Sequence, residues 1–261
     1  MELEFIKDTP EKVVFVIKGV PIALVNSIRR AMMAHVPTMA VDYVNVYMNT
    51  SYLYDEMLAH RIGLIPLKTD VDKFNFPHEC ECGGEGCPKC QVSLRLNAEG
   101  PRMVYSGDFV SDDPETKPVY DNIPVVELYE GQQLMIEAVA RLGTGREHAK
   151  WKPVSICAYR IIPDIEVGEK CDGCGECVEA CPRGVLEIKD GRVEVKDVLK
   201  CSMCMSCVNA CEENAIEVKE TDNYLFTVES IGSMPAKEIL RRGVEVLKEK
   251  AEEMNEILEH F

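Results

Sequence analysis

Apolar and polar positions alternate at the start of the chain. Leu3 and Phe5 stand between charged neighbours, Thr9-Pro10-Glu11 makes a turn, and Val13, Phe15 and Ile17 alternate again. This pattern predicts two strands with one buried face. Pro21 sits where a helix can begin, and Leu24, Ile28 and Met32 recur every fourth residue until Pro37 ends the pattern. Between 43 and 152, prolines from Pro66 to Pro124 punctuate short strand-like runs, which reads as a mixed, mostly β segment with long loops. Within it, Glu130-Gly131 looks like a hairpin turn between Val125–Leu128 and Leu134–Val139. Val154–Ile162 and Tyr224–Val228 return to strand patterning. The C-terminal stretch predicts a long helix, with Ser233 as N-cap and Pro235 in its first turn. There Leu240, Val244, Leu247, Ala251, Met254, Leu258 and Phe261 recur at alternating steps of four and three. Such an a/d seam is narrower than the stripe of a helix lying on a sheet. It can pack on the chain's own sheet or meet another chain; its terminal position favours the second.

Length and charge narrow the function. At 261 residues the chain exceeds the size at which one core usually stops growing, so two or three domains are expected. Hydrophobic residues at 46% and charged residues at 28% place it among globular chains. A formal charge of −16 repels phosphate backbones, so no direct nucleic-acid binding is expected. No apolar run approaches the roughly 20 residues that cross a bilayer, and Met1–Glu4 begins no secretory leader. The expectation is a cytoplasmic protein without membrane contact.

Twelve of the thirteen cysteines fall in residues 80–90 and 171–211, a clustering that suits metal sites better than a disulfide framework. The exception, Cys157, stands in an apolar run and reads as a small buried hydrophobe. Cys171-x-x-Cys174-x-x-Cys177-x-x-x-Cys181-Pro182 is repeated as Cys201-x-x-Cys204-x-x-Cys207-x-x-x-Cys211. This is the bacterial ferredoxin spacing, in which three cysteines hold one [4Fe–4S] cube and the fourth reaches across to the other. On that pattern one cluster takes Cys171, Cys174, Cys177 and Cys211, and the other takes Cys201, Cys204, Cys207 and Cys181. Glu212 follows Cys211 where Pro182 follows Cys181, which leaves a three-iron form open at that corner. Cys80, Cys82, Cys87 and Cys90, separated by Gly-rich turns, suit tetrahedral zinc. The alternative is a surface loop whose cysteines pair on exposure to air.

Two segments carry a family resemblance. Asn26-Ser27-Ile28-Arg29-Arg30-Ala31-Met32-Met33, continuing to Val41, resembles the first dimerisation helix of α-like RNA polymerase subunits. Tyr54-Asp55-Glu56-Met57-Leu58-Ala59-His60-Arg61-Ile62-Gly63-Leu64-Ile65-Pro66-Leu67 is similar to the signature of the archaeal and eukaryotic branch. His148–Val154 and Glu238–Arg242 match as well, and the ferredoxin-like insert points to archaeal members. The resemblance implies an α+β fold with a discontinuous dimerisation domain formed by residues 1–42, 153–165 and 222–261. A mixed, mostly β domain, 43–152, and a ferredoxin-like module with two [4Fe–4S] clusters, 166–221, would be inserted into it. It also implies a non-catalytic assembly subunit of a DNA-directed RNA polymerase, paired with the small α-like subunit L and touching other polymerase subunits. Leu24, Ile28, Met32, Leu240, Val244, Leu247, Ala251 and Met254 would then line the dimer interface. The chain shows no GxxxxGK[ST], GxGxxG or HExxH motif. A structural role for the clusters and a redox-linked role in assembly both remain open. The competing class is a ferredoxin-type electron-transfer subunit, which explains the eight cysteines and the acidic surface but leaves the 54–67 signature without a purpose.

Overall fold

The computed structural model describes residues 1–260, so Phe261 of the predicted seam lies outside the described residues. The fold is mixed α+β, mostly strands. In chain order it begins with β1 (Glu2–Asp8), β2 (Lys12–Lys18), α1 (Ile22–Ala34), β3 (Pro37–Asn49) and α2 (Asp55–Gly63). There follow β4 (Gln91–Glu99), β5 (Arg102–Tyr105), β6 (Val110–Ser111), β7 (Pro124–Leu128), β8 (Gln133–Thr144) and β9 (Val154–Ile161). The cysteine-rich region holds β10 (Asp164–Val167), α3 (Glu176–Glu179), β11 (Leu186–Lys189), β12 (Arg192–Val195), α4 (Ser206–Asn209) and β13 (Ile216–Lys219). The chain closes with β14 (Asn223–Ser230) and α5 (Ala236–Glu259). These elements form two compact units, one of residues 1–7, 14–26 and 158–227, the other of 8–13, 27–157 and 228–261.

The first unit includes most of a four-stranded sheet with order β1-β2-β14-β9. In β2 the expected buried face forms, with Phe15 stacked on Phe226 at 5.1 Å and Tyr159 leaning on the same ring at 5.8 Å, whereas β1 is exposed at every residue, Leu3 and Phe5 included. Strands β2 and β14 meet because each has an apolar face too wide to leave in water. The cysteine-rich region is built around two short ladders, β10 with β13 and β11 with β12, both antiparallel.

The second unit holds a four-stranded sheet, β3-β8-β4-β6, beside the β5–β7 pair. β3 and β8 run antiparallel from Pro37↔Thr144 to Asn49↔Leu134, with irregularities after Val41 and Val46. The inward face of β4, Val92, Leu94, Leu96 and Ala98, is buried at every second residue, as a half-covered sheet requires. α2 closes that core with Leu58 and Ile62, one turn apart, while Arg61 donates to the Val125 and Pro124 carbonyls at 2.9 and 2.7 Å. Trp151 is clamped at the other end of the sheet. Its Nε1 donates to the Arg141 carbonyl at 3.1 Å, and the Thr38 hydroxyl donates to the Trp151 carbonyl at 2.9 Å. A side chain on Gly143 would collide with the indole, at 2.4 Å, so the strand stays bare where the ring crosses it.

Three expectations change. The Glu130-Gly131 turn forms, with Gly131 at φ +75°, but β7 pairs with β5 and β8 with β3 and β4, so no hairpin joins them. β8 runs for twelve residues and is drawn into the larger sheet, which buries its Leu134, Ile136, Ala138, Val139, Ala140 and Leu142. The last helix starts at Ala236 with Pro235 in the cap position; Ser233 lies before it, buried, with a hydroxyl that finds no partner. Its buried residues are Ala236, Ile239 and Gly243, none of them a position of the a/d seam. Gly243 is placed against α1: a Cβ there would come within 2.6 Å of Met32 Cγ and 3.3 Å of the Met32 nitrogen. Met32 is fully buried and Ile28 nearly so. Those two side chains belong to the chain's own interior and offer no surface to a partner, which corrects their place in the expected interface.

Candidate metal centres

The knuckle at residues 80–90 brings its four thiols together. Gly83, Gly84 and Gly86 adopt φ of +65°, +86° and +103°, which only glycine takes without cost. The chain therefore reverses twice within eleven residues. Cys80 Sγ lies 3.6 Å from Cys87 Sγ, Cys82 Sγ 3.6 Å from Cys90 Sγ, and Cys87 Sγ 3.9 Å from Cys90 Sγ. Sulfurs at about 2.3 Å from a shared tetrahedral ion would stand roughly 3.8 Å apart. A disulfide needs about 2.05 Å, and all thirteen cysteines are free. The donor set fits one ion. The Cys87 N–H donates to Cys90 Sγ at 3.3 Å. Backbone N–H of Gly86, with help from the Cys80 side chain, lowers the Cys82 thiol to about 6, whereas burial pushes Cys90 up to about 12.

The eight remaining clustered cysteines are arranged on another plan. In each repeat a tight loop delivers three thiols and runs into one helical turn, α3 or α4, and the fourth cysteine follows that turn. Cys171, Cys174, Cys177 and Cys211 line one cavity of about 160 Å³. Cys181, Cys201, Cys204 and Cys207 line another, of about 20 Å³. Each set thus takes three cysteines from one repeat and the fourth from the other, and Cys211 takes its place although Glu212 replaces the proline. Backbone N–H groups point at sulfur in both: Ala215 to Cys211 at 3.2 Å, Val185 to Cys181 at 3.4 Å, Met203 to Cys201 at 3.4 Å. Such donors favour thiolate. Among the described residues, only the 80–90 knuckle gathers metal-ligating atoms within 4.8 Å of one another. A cube holds its ligands at separate corners, so the wider spacing of the eight suits a cluster and not a single ion.

The electrostatics of the two loops also differ. Ser206, through its hydroxyl and its backbone, lowers the Cys204 thiol. At Cys174 the Glu176 backbone N–H acts in the same sense but is outweighed by the Asp172 side chain and by burial, and the thiol is raised. Sequence reasoning placed all eight cysteines but passed over Met203 and Met205. The signal was there: aligning the repeats puts them opposite Gly173 and Gly175. Cys157 is half-buried, its Sγ 3.8 Å from the Arg29 carbonyl, and burial pushes its thiol up to about 12.

The remaining expected interface residues divide by exposure. Leu24, Val244 and Met254 are exposed, at 39%, 46% and 57%, and Ala251 is exposed too; Leu240 and Leu247 are half-buried. Every residue of 248–260 faces solvent. Among the described residues, no helix is long and apolar enough to cross a membrane.

Comparison with known proteins covers the same ground. Residues 45–161 match the RNA polymerase Rpb3/RpoA insert domain, and residues 163–216 match the 4Fe-4S dicluster domain. The chain is 59% identical to DNA-directed RNA polymerase subunit Rpo3 of Archaeoglobus fulgidus, over 100% of its own length and 98% of that protein. It is 46% identical to Rpo3 of Methanosarcina acetivorans over 100% and 99% of the two chains. Against Rpo3 of Pyrococcus horikoshii the identity is 36% over 97% and 95%.

Proposed function

Because the chain belongs to the Rpo3 family of DNA-directed RNA polymerase subunits, we propose that it serves the polymerase as an assembly scaffold and performs no chemistry itself. Its working surface is the one left bare by α5. In a helix of 24 residues only Ala236, Ile239 and Gly243 are buried, while Val244, Met254, Ile257 and Leu258 stand in water. That unsatisfied ridge is the observation that carries the reading. Apolar area removed from water stabilises a complex by about 25 cal/mol per Å², so an exposed ridge of this kind is covered by a partner helix. We assign the partner as the small α-like subunit L, meeting Leu24, Leu240, Val244, Leu247, Ala251 and Met254, with other polymerase subunits joining the heterodimer. Residues 1–42, 153–165 and 222–261 form the dimerisation part on this reading, 43–152 the insert, and 166–221 the cluster module.

The chain carries iron–sulfur clusters in its dicluster domain. We assign two [4Fe–4S] cubes, one on Cys171, Cys174, Cys177 and Cys211, the other on Cys201, Cys204, Cys207 and Cys181. Zinc is assigned to Cys80, Cys82, Cys87 and Cys90. Both metals serve as staples: a region of about 56 residues cannot order itself on so small a core. An electron-carrier reading would account for the module alone and leave residues 1–162 and 223–260 without a role.

Co-expression with subunit L tests the scaffold. Val244→Asp with Met254→Asp should abolish co-purification while leaving iron content and circular dichroism unchanged. A heterodimer that survives both substitutions would overturn the interface.

A further inference from the structure

The two cysteine loops impose one backbone on different residues. In the first, Gly173 and Gly175 stand at φ +76° and +87°; in the second, Met203 and Met205 hold the equivalent positions at φ +54° and +61°. The left-handed region is open to glycine and opposed by the Cβ of every other L-residue. Two non-glycine residues in that region, two positions apart in sequence and beside the same sulfurs, point to a purpose for their side chains.

The first loop has no room for side chains at these positions. A Cβ on Gly173 would stand 2.1 Å from the carbonyl oxygen of Gly191, in the turn between β11 and β12, and one on Gly175 would stand 2.9 Å from Ile188 Cδ1. The β11–β12 hairpin therefore lies against this loop. In the second repeat Cys211 leads straight to β13, without such a hairpin. There Met203 and Met205 line the cysteine cavity together with Ile165 of β10 and Val218 of β13.

The surroundings of the two cysteine sets differ in the same sense. Carboxylates of Asp172, Glu176, Glu212 and Glu213 line the larger cavity of the first set. Ile165, Val185, Leu186 and Val218 line the small cavity of the second, together with Met203 and Met205, and Arg183 is its one charged side chain. Thioether and methylene groups displace water; carboxylates hold it and also offer iron an alternative ligand.

We propose that Met203 and Met205 form a cover over the second cluster, keeping water and small ligands from its iron, so that the first cluster exchanges iron before the second. The inference rests on the reading that each four-cysteine set holds a cube. Iron leaves when the oxygens and nitrogens of a chelator replace the cysteine sulfurs; the thiolates take up protons and the bridging sulfide departs as hydrogen sulfide. No electron is transferred, so access alone sets the rate.

The test uses the full chain, reconstituted and kept without oxygen, mixed with excess EDTA while iron release and loss of visible absorption are followed. Wild type should lose its iron in two phases of equal size, the slow one belonging to the second site. Met203→Gly with Met205→Gly removes the cover and relieves both left-handed residues, so folding is not at risk; its slow phase should accelerate several-fold and merge with the fast one. Met203→Leu with Met205→Leu keeps the apolar bulk and should keep both phases. A single phase in wild type, or a slow phase unmoved in the glycine variant, overturns the cover. Iron and sulfide below two cubes per chain at the start, in wild type and both variants alike, would instead refute the two-cluster reading.

Discussion

The insert and the cluster module solve the same problem with different means. The insert gathers Leu94, Leu96, Leu134, Ile136, Leu58 and Ile62 with fifteen other buried apolar residues into one core. The core of the module gathers only Cys177, Val185, Leu186, Val193, Cys207 and Ile216, and two of these six are cysteines of the candidate cluster sites. Ordering each backbone residue costs about 1–2 kcal/mol, and six small side chains cannot offset that for some fifty residues. On the proposed reading, the insert relies on oil and the module on metal. It also explains the loops: β4 and β8 need alternation over nine and twelve residues, whereas the cluster loops need only a left-handed backbone and correctly spaced sulfur.

Removing the metal should break this comparison most visibly. Stripping iron and sulfide under anaerobic conditions is expected to abolish hydrogen-exchange protection throughout residues 164–219, while amides of β4 and β8 keep theirs. Protection retained in the stripped module would mean that its small apolar core suffices. A smaller effect is expected from the oil side. Leu94→Ala, at a site 1% exposed, should destabilise the insert by about 2–5 kcal/mol, read from its urea transition, with iron content unchanged. Iron loss in that variant would show that the two regions do not stand apart energetically.

The smallest effect concerns charge. Lys73 Nζ lies 2.6 Å from Asp113, and burial, which favours the neutral acid, is outweighed by hydrogen bonds from Lys73 and the Thr116 hydroxyl, so the Asp113 carboxyl titrates below its ordinary value. A depressed folded-state pKa stabilises above the unfolded value of about 3.9, and that contribution disappears as pH falls through the folded one. Lys73→Met should therefore cost under ~1 kcal/mol at neutral pH, and the gap to wild type should close in acid. A gap that persists at pH 2 would assign the loss to packing by the lysine stem.

How much of this was readable beforehand depended on range. Strands β2, β9 and β14 and helix α1 follow from periods of two and four, because each is decided by its own neighbours in sequence. α2 was overlooked, although Asp55 and Glu56 in its first turn, His60 and Arg61 in its last, and the spacing of Leu58 and Ile62 announce a helix. The a/d seam of α5 is legible as a pattern, but the residues that α5 buries, Ala236, Ile239 and Gly243, lie outside it. Hydropathy marks large residues, while close approach of two helices selects small ones, here Gly243 against Met32 and Ala236 beside Ile239.

The sequence by itself determined how the cysteines are spaced within each loop, the knuckle of glycines between Cys82 and Cys87, and the two strand–helix ends of the chain, since all of these depend on contacts a few residues long. Only the tertiary structure decided that β8 joins β3 and β4 instead of β7, that Met32 turns inward, and that Met203 and Met205 line the cavity of the second cysteine set. Those outcomes depend on which surfaces compete for burial across a hundred residues, and a local pattern contains no measure of its distant competitors.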